Sequence, residues 1–362
     1  MTYLPTKLRR PLHLFLISQL FLSCDHSSES GGGQGLLPPN HSWSAEASFQ
    51  VEGTVMSVWG TDQAEGWETD TVYAVGGQPE KGLLWQRVQG QWGEVSVPAG
   101  ALLNWIHGKS GHVWIVGNGG RALRMISSKA GGTGEWQAME TGLMQDLWGV
   151  WVNAPDDVWT VGGDPVGEGE PDPILAHFDG EQWEKIVIPP LDRSGVRALF
   201  KIYGGPQGSL FAVGMKGVII GDLGDGWAQQ PVVSSGGAPT VSEDFVSLWG
   251  SHDDLVAVGG RTNGAIARWD GNTWQSTILA GVPGLNGIWM DEQGDATLVG
   301  TRGAALILPK SQMSAERERS NETLVLHACW GRGQEIWAVG GSLNSSPPWE
   351  GVILHTHHRS HE

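Results

Sequence analysis

Four groups of residues in this 362-residue chain have types and spacings that chemistry could use. The carboxylates Asp164, Glu168, Glu170 and Asp172 crowd into "GDPVGEGEPD", and dense oxygen donors are what Ca²⁺ takes. Their spacing matches no calcium loop. A solvated acidic insertion is the simpler reading, so no metal is expected. The run "HTHHRSH", His355 to His361, offers imidazoles for a transition metal, but reads more simply as a polar chain terminus. Arg121, Lys216, Arg261 and Arg302 recur in the turn after a Val-Gly pair and could receive an anionic group if those turns converge. Trp349 and Glu350, in "SSPPWEG", set an exposed aromatic and a carboxylate beside two prolines, a candidate ligand contact.

The missing motifs narrow the field. No HExxH, CxxC, P-loop or GxSxG pattern occurs. A sialidase needs a tyrosine nucleophile and an arginine triad. Beyond Tyr3 the chain has only Tyr73 and Tyr203, and Tyr73 takes the place of a core tryptophan. No catalytic residue and no cofactor are expected, and the chain reads as a non-enzyme. Its net charge of −17 would repel phosphate backbones, which excludes nucleic acid as a partner. Two cysteines, Cys24 and Cys329, are too few for a disulfide framework. Cys329, beside Trp330, reads as a small buried hydrophobe.

The elements that must position these groups are written in a repeat. "DTVYAVGG", "DDVWTVGG", "DDLVAVGG" and "QEIWAVGG" are one motif, and its Val-Gly pair returns at Gly76, Gly117, Gly162, Gly214, Gly259, Gly300 and Gly340. Each unit of 40–52 residues has the same order. A strand ending in an aromatic ("VSVWG", "LLNWIHG", "LFKIY", "VSLWG") precedes the motif strand. A glycine turn and a third strand follow it. A last strand opens on Trp92, Trp136, Trp183, Trp227 or Trp274. The apolar runs are short, β-branched and glycine-bounded, with no helical period. The second strands are apolar on both faces, as a strand sandwiched between two sheets must be. Seven units of four short strands predict an all-β, seven-bladed β-propeller of four-stranded antiparallel blades over 43–362. The seventh unit lacks an outer strand, and "HSWSAEASFQV" (41–51) is a spare one. The ring is therefore expected to close through the N-terminal strand. The sixth unit lacks its outer tryptophan, so a degenerate or missing outer strand is expected there. Turns after the second strand share one face with the links between blades. The insertions 164–173, 189–196, 234–243, 311–323 and 342–350 are expected on that face, making it the binding face.

These "VWG…DDVWAVG…WDG…W" units resemble bacterial β-propeller lipoproteins. They are also similar to Asp-box, photosystem assembly-factor and WD-repeat-like propellers. The turns at Asp179-Gly180, Asp225-Gly226 and Asp270-Gly271 resemble the Asp-box turn without its leading Ser or Thr. The resemblance implies a fold, not an activity.

The N-terminus suggests a location. Lys7, Arg9 and Arg10 precede "LHLFLISQLFL", an apolar run of signal-peptide length. "FLSC", Phe21 to Cys24, resembles a bacterial lipobox, with Phe21 where leucine is usual. Residues 1–23 are read as a lipoprotein signal peptide and Cys24 as the lipidated residue. The Gly/Ser/Pro-rich stretch 24–42 is read as a flexible spacer. Cleavage removes three cations and no acid, taking the charge to −20. The expectation is a non-catalytic envelope lipoprotein of a Gram-negative-type bacterium, facing the periplasm or the cell exterior and touching membrane only through its lipid. Its propeller would bind an envelope protein through the loop-rich face. The alternative is a propeller that binds or acts on glycans.

Overall fold

The computed structural model of the chain describes residues 43–46, 52–61, 70–127, 135–168, 170–234, 241–251, 254–342 and 349–357. The expected signal peptide, Cys24 and spacer lie outside the described residues. β1 (Ser44–Ala45) comes first. Blade 1 then follows as β2 (Thr54–Gly60), β3 (Val72–Gln78), β4 (Lys81–Val88) and β5 (Gln91–Val95). Blade 2 is β6 (Leu103–Lys109), β7 (His112–Gly117), β8 (Ala122–Ser127) and β9 (Glu135–Met139). Blade 3 is β10 (Leu147–Ala154), β11 (Asp157–Gly162), β12 (Ile174–Phe178) and β13 (Trp183–Lys185). Blade 4 is β14 (Leu199–Gly204), β15 (Leu210–Gly214), β16 (Ile219–Asp222) and β17 (Trp227–Gln229). β18 (Val232–Ser234) then runs parallel to the outer strand of blade 5, which is β19 (Phe245–Ser251), β20 (Asp254–Gly259), β21 (Gly264–Trp269) and β22 (Trp274–Leu279). Blade 6 is β23 (Leu285–Met290), β24 (Ala296–Gly300), β25 (Ala305–Leu308) and β26 (Glu316–Glu318). Blade 7 is β27 (Val325–Arg332), β28 (Glu335–Ser342) and β29 (Glu350–His357), completed by β1. The sheets are the expected seven-bladed propeller. Among the described residues one pairing is parallel, β18 beside β22, and it was not expected.

In blades 1 to 4 the motif aromatic of the second strand meets the outer-strand tryptophan of the next blade. Tyr73 packs edge-on against Trp136, Trp114 against Trp183, and Phe211 against Trp274, while Trp159 tilts onto Trp227, all at centroid distances of 5.4–6.3 Å. Sheets that splay outward leave a wedge between blades, and large rings fill it. In blades 5 and 6 the same position holds Val256 and Thr297, and the blade after blade 5 is the one with no outer tryptophan. Its outer strand is not missing: Glu316–Glu318 pairs with β25.

Closure follows the expectation. Ser44 and Ala45 pair with His355 and Leu354, and Glu46 donates its N–H to the Ile353 carbonyl at 3.0 Å. Trp43 is buried and its Nε1 donates to Glu318 Oε2 at 3.0 Å, so the closing strand is tied to blade 6 as well as blade 7.

Each innermost strand slips register by one residue at the same place. The extra residues are Met56, Asn104, Trp148, Phe200, Val246, Asn286 and His327. Met56, Trp148 and Phe200, from blades 1, 3 and 4, share one buried cluster, which fills the channel at the end where the innermost strands begin. The bulge restores the parity that places the residue three positions later, always an aromatic, at the opposite mouth.

Two expectations are corrected. Because β26 interrupts 311–323, residues 309–315 join third to outer strand and lie on the face of the short hairpins, and only 319–324 lie on the loop-rich face. The histidine run is not a polar terminus from its first residue, since His355 and His357 belong to β29. Among the described residues no helix is long and apolar enough to cross a membrane.

Candidate functional site

A cavity of about 1030 Å³ opens at the channel mouth on the hairpin face, opposite the loop-rich one. One aromatic from each innermost strand rims it: Trp59, His107, Trp151, Tyr203, Trp249, Trp289 and Trp330. They interlock from blade to blade. His107 stacks on Trp151 at 4.3 Å, Trp151 lies 4.5 Å from Tyr203, and Tyr203 lies 5.2 Å from Trp249. The Tyr203 hydroxyl donates to the Gly250 carbonyl at 2.6 Å, and burial pushes its pKa up to about 12. A glycine after the aromatic makes room for the neighbour's ring. A Cβ on Gly60 would sit 2.6 Å from Trp330, one on Gly108 2.6 Å from Trp59, one on Gly204 2.6 Å from Trp151, and one on Gly331 2.8 Å from Trp289.

His107 completes the ring as a neutral group. The Val152 N–H donates to its Nδ1 at 3.0 Å, so the ring proton sits on Nε2. Burial first, and the charge of Lys109 second, push its pKa down to about 3. Deeper in the channel the Lys201 ammonium lies 3.0 Å from the centroid of Trp105 and 3.2 Å from the Trp148 carbonyl. Burial drives the Lys201 pKa well below the usual lysine range.

The basin is electrically polarised. Asp291, Glu292 and Asp295 stand on the blade 6 wall and exposed Lys109 on the blade 2 wall. Arg332 also lines the cavity, but it donates to the Thr61 carbonyl at 2.9 Å and pairs with Asp70 and Glu335, which ties blade 7 to blade 1. Glu292 also lines a second cavity of about 910 Å³, which runs outward past Asp254, Arg268 and Lys310, so the basin continues as a groove across blades 5 and 6. The Arg268 guanidinium pairs with Asp254 in that groove.

The residues singled out from sequence sit elsewhere. Arg121, Lys216, Arg261 and Arg302 lie in turns of the loop-rich face, as expected. Arg121 donates to the carbonyls of Ala101 and Pro98, and burial lowers its pKa to about 10. Lys216 Nζ donates to the Ser194 carbonyl at 2.6 Å, and Arg261 pairs with Asp244 at 2.9 Å. Lys216 and Arg302 share a left-handed position, with φ of 58° and 57°, that Gly119 occupies in blade 2. Arg121 falls two residues later, beside the equivalents Val218 and Ala304, because Gly117, Gly214 and Gly300 donate to the carbonyls of Arg121, Val218 and Ala304. Arg121, Lys216 and Arg261 thus hold loops.

Trp349 is half-buried, not exposed, while Glu350 is exposed at the start of β29. Asp172 pairs with Lys185 at 2.5 Å and accepts from Gln145 at 2.6 Å. The carbonyls of Asp164 and Glu168 accept from Arg197. Among the described residues these acids do not gather as a cation site; the group that does is Glu335, His355 and His357. Cys329 is buried, and burial pushes its thiol pKa up. In the turns at Asp179 and Asp270 each carboxylate accepts two backbone N–H groups. In blade 4 Asp222, not Asp225, does this.

The aromatic ending each first strand was visible in the repeat as packing. That seven of them meet at one mouth follows from the ring alone.

No family model matches the chain, and no curated protein does. Solved structures do. "YCF48 bound to D1 peptide" aligns at 13% identity and TM-score 0.59, covering 88% of this chain and 97% of that one. "Crystal structure of WD40 beta propeller domain of Doa1" aligns at 13% identity and TM-score 0.60, covering 86% and 96%. "Structure of U3-55K" aligns at 7% identity and TM-score 0.64, covering 87% and 98%. At these identities the likeness is one of fold: the chain shares the propeller architecture of these proteins over nearly their whole length.

Proposed function

We propose that the chain is a non-catalytic, lipid-anchored envelope protein whose propeller is a binding scaffold for a protein partner. The observation that carries this reading is the basin. It is a rigid concavity rimmed by aromatics from all seven blades, polarised from Lys109 to the acids of blade 6, and continued by a groove that suits an extended segment. The sequence reading put binding on the loop-rich face; the size and chemistry of the basin favour the hairpin face. A propeller neighbour carries a peptide, which is compatible with this reading and adds only analogy. Envelope placement rests on the signal-like segment and the lipobox-like "FLSC".

The glycan alternative is weaker. Sugar stacking needs a free ring face, and Trp151 has His107 on one side and Tyr203 on the other. The test is capture from solubilised envelope by the chain from residue 25 onward, compared with Lys109→Glu, Glu292→Lys and Arg302→Ala. One envelope protein, lost in the two basin variants and kept in the third, is expected. Loss only in Arg302→Ala returns binding to the loop-rich face. Polysaccharide retained without protein refutes the scaffold reading. Cell fractionation of Cys24→Ser tests the anchor, and continued membrane retention would count against lipidation.

A further inference from the structure

We propose that Glu335, His355 and His357 form a binding site for a late first-row divalent cation such as Zn²⁺, placed at the seam where the ring closes. The register of β28 and β29 sets Glu335 opposite His357 and Trp337 opposite His355. Residues two apart on a strand share a face, so all three candidate ligands project from one side of blade 7. Their ligand atoms lie within 4.8 Å of one another. His355 Nε2 is 3.5 Å from Glu335 Oε1. A tetrahedral site with Zn²⁺ bonds of ~2.1 Å has a ligand-to-ligand edge of about 3.4 Å.

A second observation points the same way. His355 Nε2 is buried without a hydrogen-bond partner. On the other side of the ring, His355 Nδ1 faces Glu46 Oε1 at 3.9 Å. A carboxylate behind an imidazole holds the proton on the nitrogen that faces it, here Nδ1, and leaves Nε2 free to ligate, as in metal-bound histidines generally. Stacking on Trp337 at 4.9 Å and 20° holds the ring in that orientation. Glu335 can serve both neighbours, because Oε1 faces His355 and Oε2 faces Arg332. His357 is exposed at the end of β29 and leaves an entry path. Two imidazoles and one carboxylate suit Zn²⁺, Co²⁺ or Ni²⁺, whereas Ca²⁺ and Mg²⁺ require more oxygen donors. Glu46 directly follows the closing strand and His355 pairs with Ser44. A bound cation therefore fixes the residue on which the closing strand is zipped, and stabilises closure.

The test is titration of the chain from residue 25 onward with Zn²⁺ by calorimetry and with Co²⁺ by visible absorption, alongside thermal melts. One equivalent is expected, with a tetrahedral Co²⁺ spectrum and a raised melting midpoint. His357→Ala and Glu335→Gln should each weaken binding by about 10-fold or more, and Glu46→Gln by about 10-fold through lost positioning of His355. The double variant His358→Ala/His361→Ala should bind as before. Absence of saturable binding at micromolar Zn²⁺ overturns the proposal. So does binding that survives Glu335→Gln and His357→Ala but is lost in the double variant, which would assign the metal to the C-terminal histidines.

Discussion

Trp43→Ala tests the closure of the ring at its narrowest point. Among the described residues the closing segment meets β29 through Ser44 and Ala45, the Glu46–Ile353 bond and an isolated bridge from Glu52 to Glu350, a short ladder that leaves much of the hold to side chains. Trp43 is 3% exposed. A buried tryptophan removes about 150–250 Å² from water, which at about 25 cal/mol per Å² amounts to about 4–6 kcal/mol. Measured aromatic-to-alanine truncations in cores cost about 3–5 kcal/mol, and the lower part of that range is expected because a terminal strand can collapse into the gap. The bond from Trp43 Nε1 to Glu318 adds about 1.5 kcal/mol, the low end for a charged acceptor, since Glu318 is half-buried. Urea unfolding followed by far-ultraviolet circular dichroism should show the midpoint of Trp43→Ala falling by roughly 1–2 M. In a double-mutant cycle with Glu318→Gln, the coupling should be about 1–2 kcal/mol. An unchanged midpoint would refute closure through Trp43. Strictly additive effects would remove the link to blade 6 while leaving the packing argument intact.

Three further outcomes follow from the ring of aromatics. Gly60→Ala should destabilise by about 1–3 kcal/mol, because its Cβ would lie 2.6 Å from Trp330 and 2.7 Å from the Thr71 carbonyl. Gly93→Ala meets nothing within 4 Å and should be neutral or mildly stabilising. Equal melting points for the two variants would contradict the interlock. His107, with a folded pKa of about 3, and His327, lowered by burial to about 4, both lie below the ordinary histidine value near 6.5. Above pH 6.5 neither affects stability. As pH falls below 6.5 the unfolded chain takes up protons that the native chain refuses, so stability drops, by about 2 kcal/mol per histidine at pH 5. His107→Phe keeps the stacking and should remove about 2 kcal/mol of the fall in unfolding free energy between pH 6.5 and 5; an unaltered slope would show that His107 titrates normally. For Lys201→Met the cation–π contact with Trp105, about 2 kcal/mol for a desolvated pair, is set against a desolvation cost of several kcal/mol. The urea midpoint should stay level or rise, and a loss beyond about 2 kcal/mol would show that the buried ammonium is well compensated.

The repeat made the architecture legible because strand and turn chemistry are local. Val-Gly pairs, β-branched runs and outer-strand tryptophans specify a blade without reference to any other blade. The spare strand around Trp43 was readable for the same reason, since a unit short of one strand and a segment with one to spare must match. Turn function was less legible. Asp222 and Asp225 stand five and two residues before Trp227, neither at the four-residue spacing of Asp179 and Asp270, and only the backbone path decides which carboxylate accepts the turn N–H groups. The four cations of the loop-rich face looked like one recurrent feature, yet Arg121 sits two residues out of step with Lys216 and Arg302.

By itself, then, the sequence determined the number of blades, their strand order, the acidic surface and the route of closure, all consequences of periodicity and composition. The tertiary structure decided where function can reside. The bulged residues Met56, Trp148 and Phe200 cluster at one end of the channel, and seven aromatics rim the other. Glu46, Glu335, His355 and His357 are brought together across a seam that joins the two ends of the described chain. The aromatic rim draws one residue from each blade, and the seam site unites Glu335 and the β29 histidines with Glu46 from the far end of the chain, so no local stretch of sequence contains either. Their geometry is set by the closure of the ring.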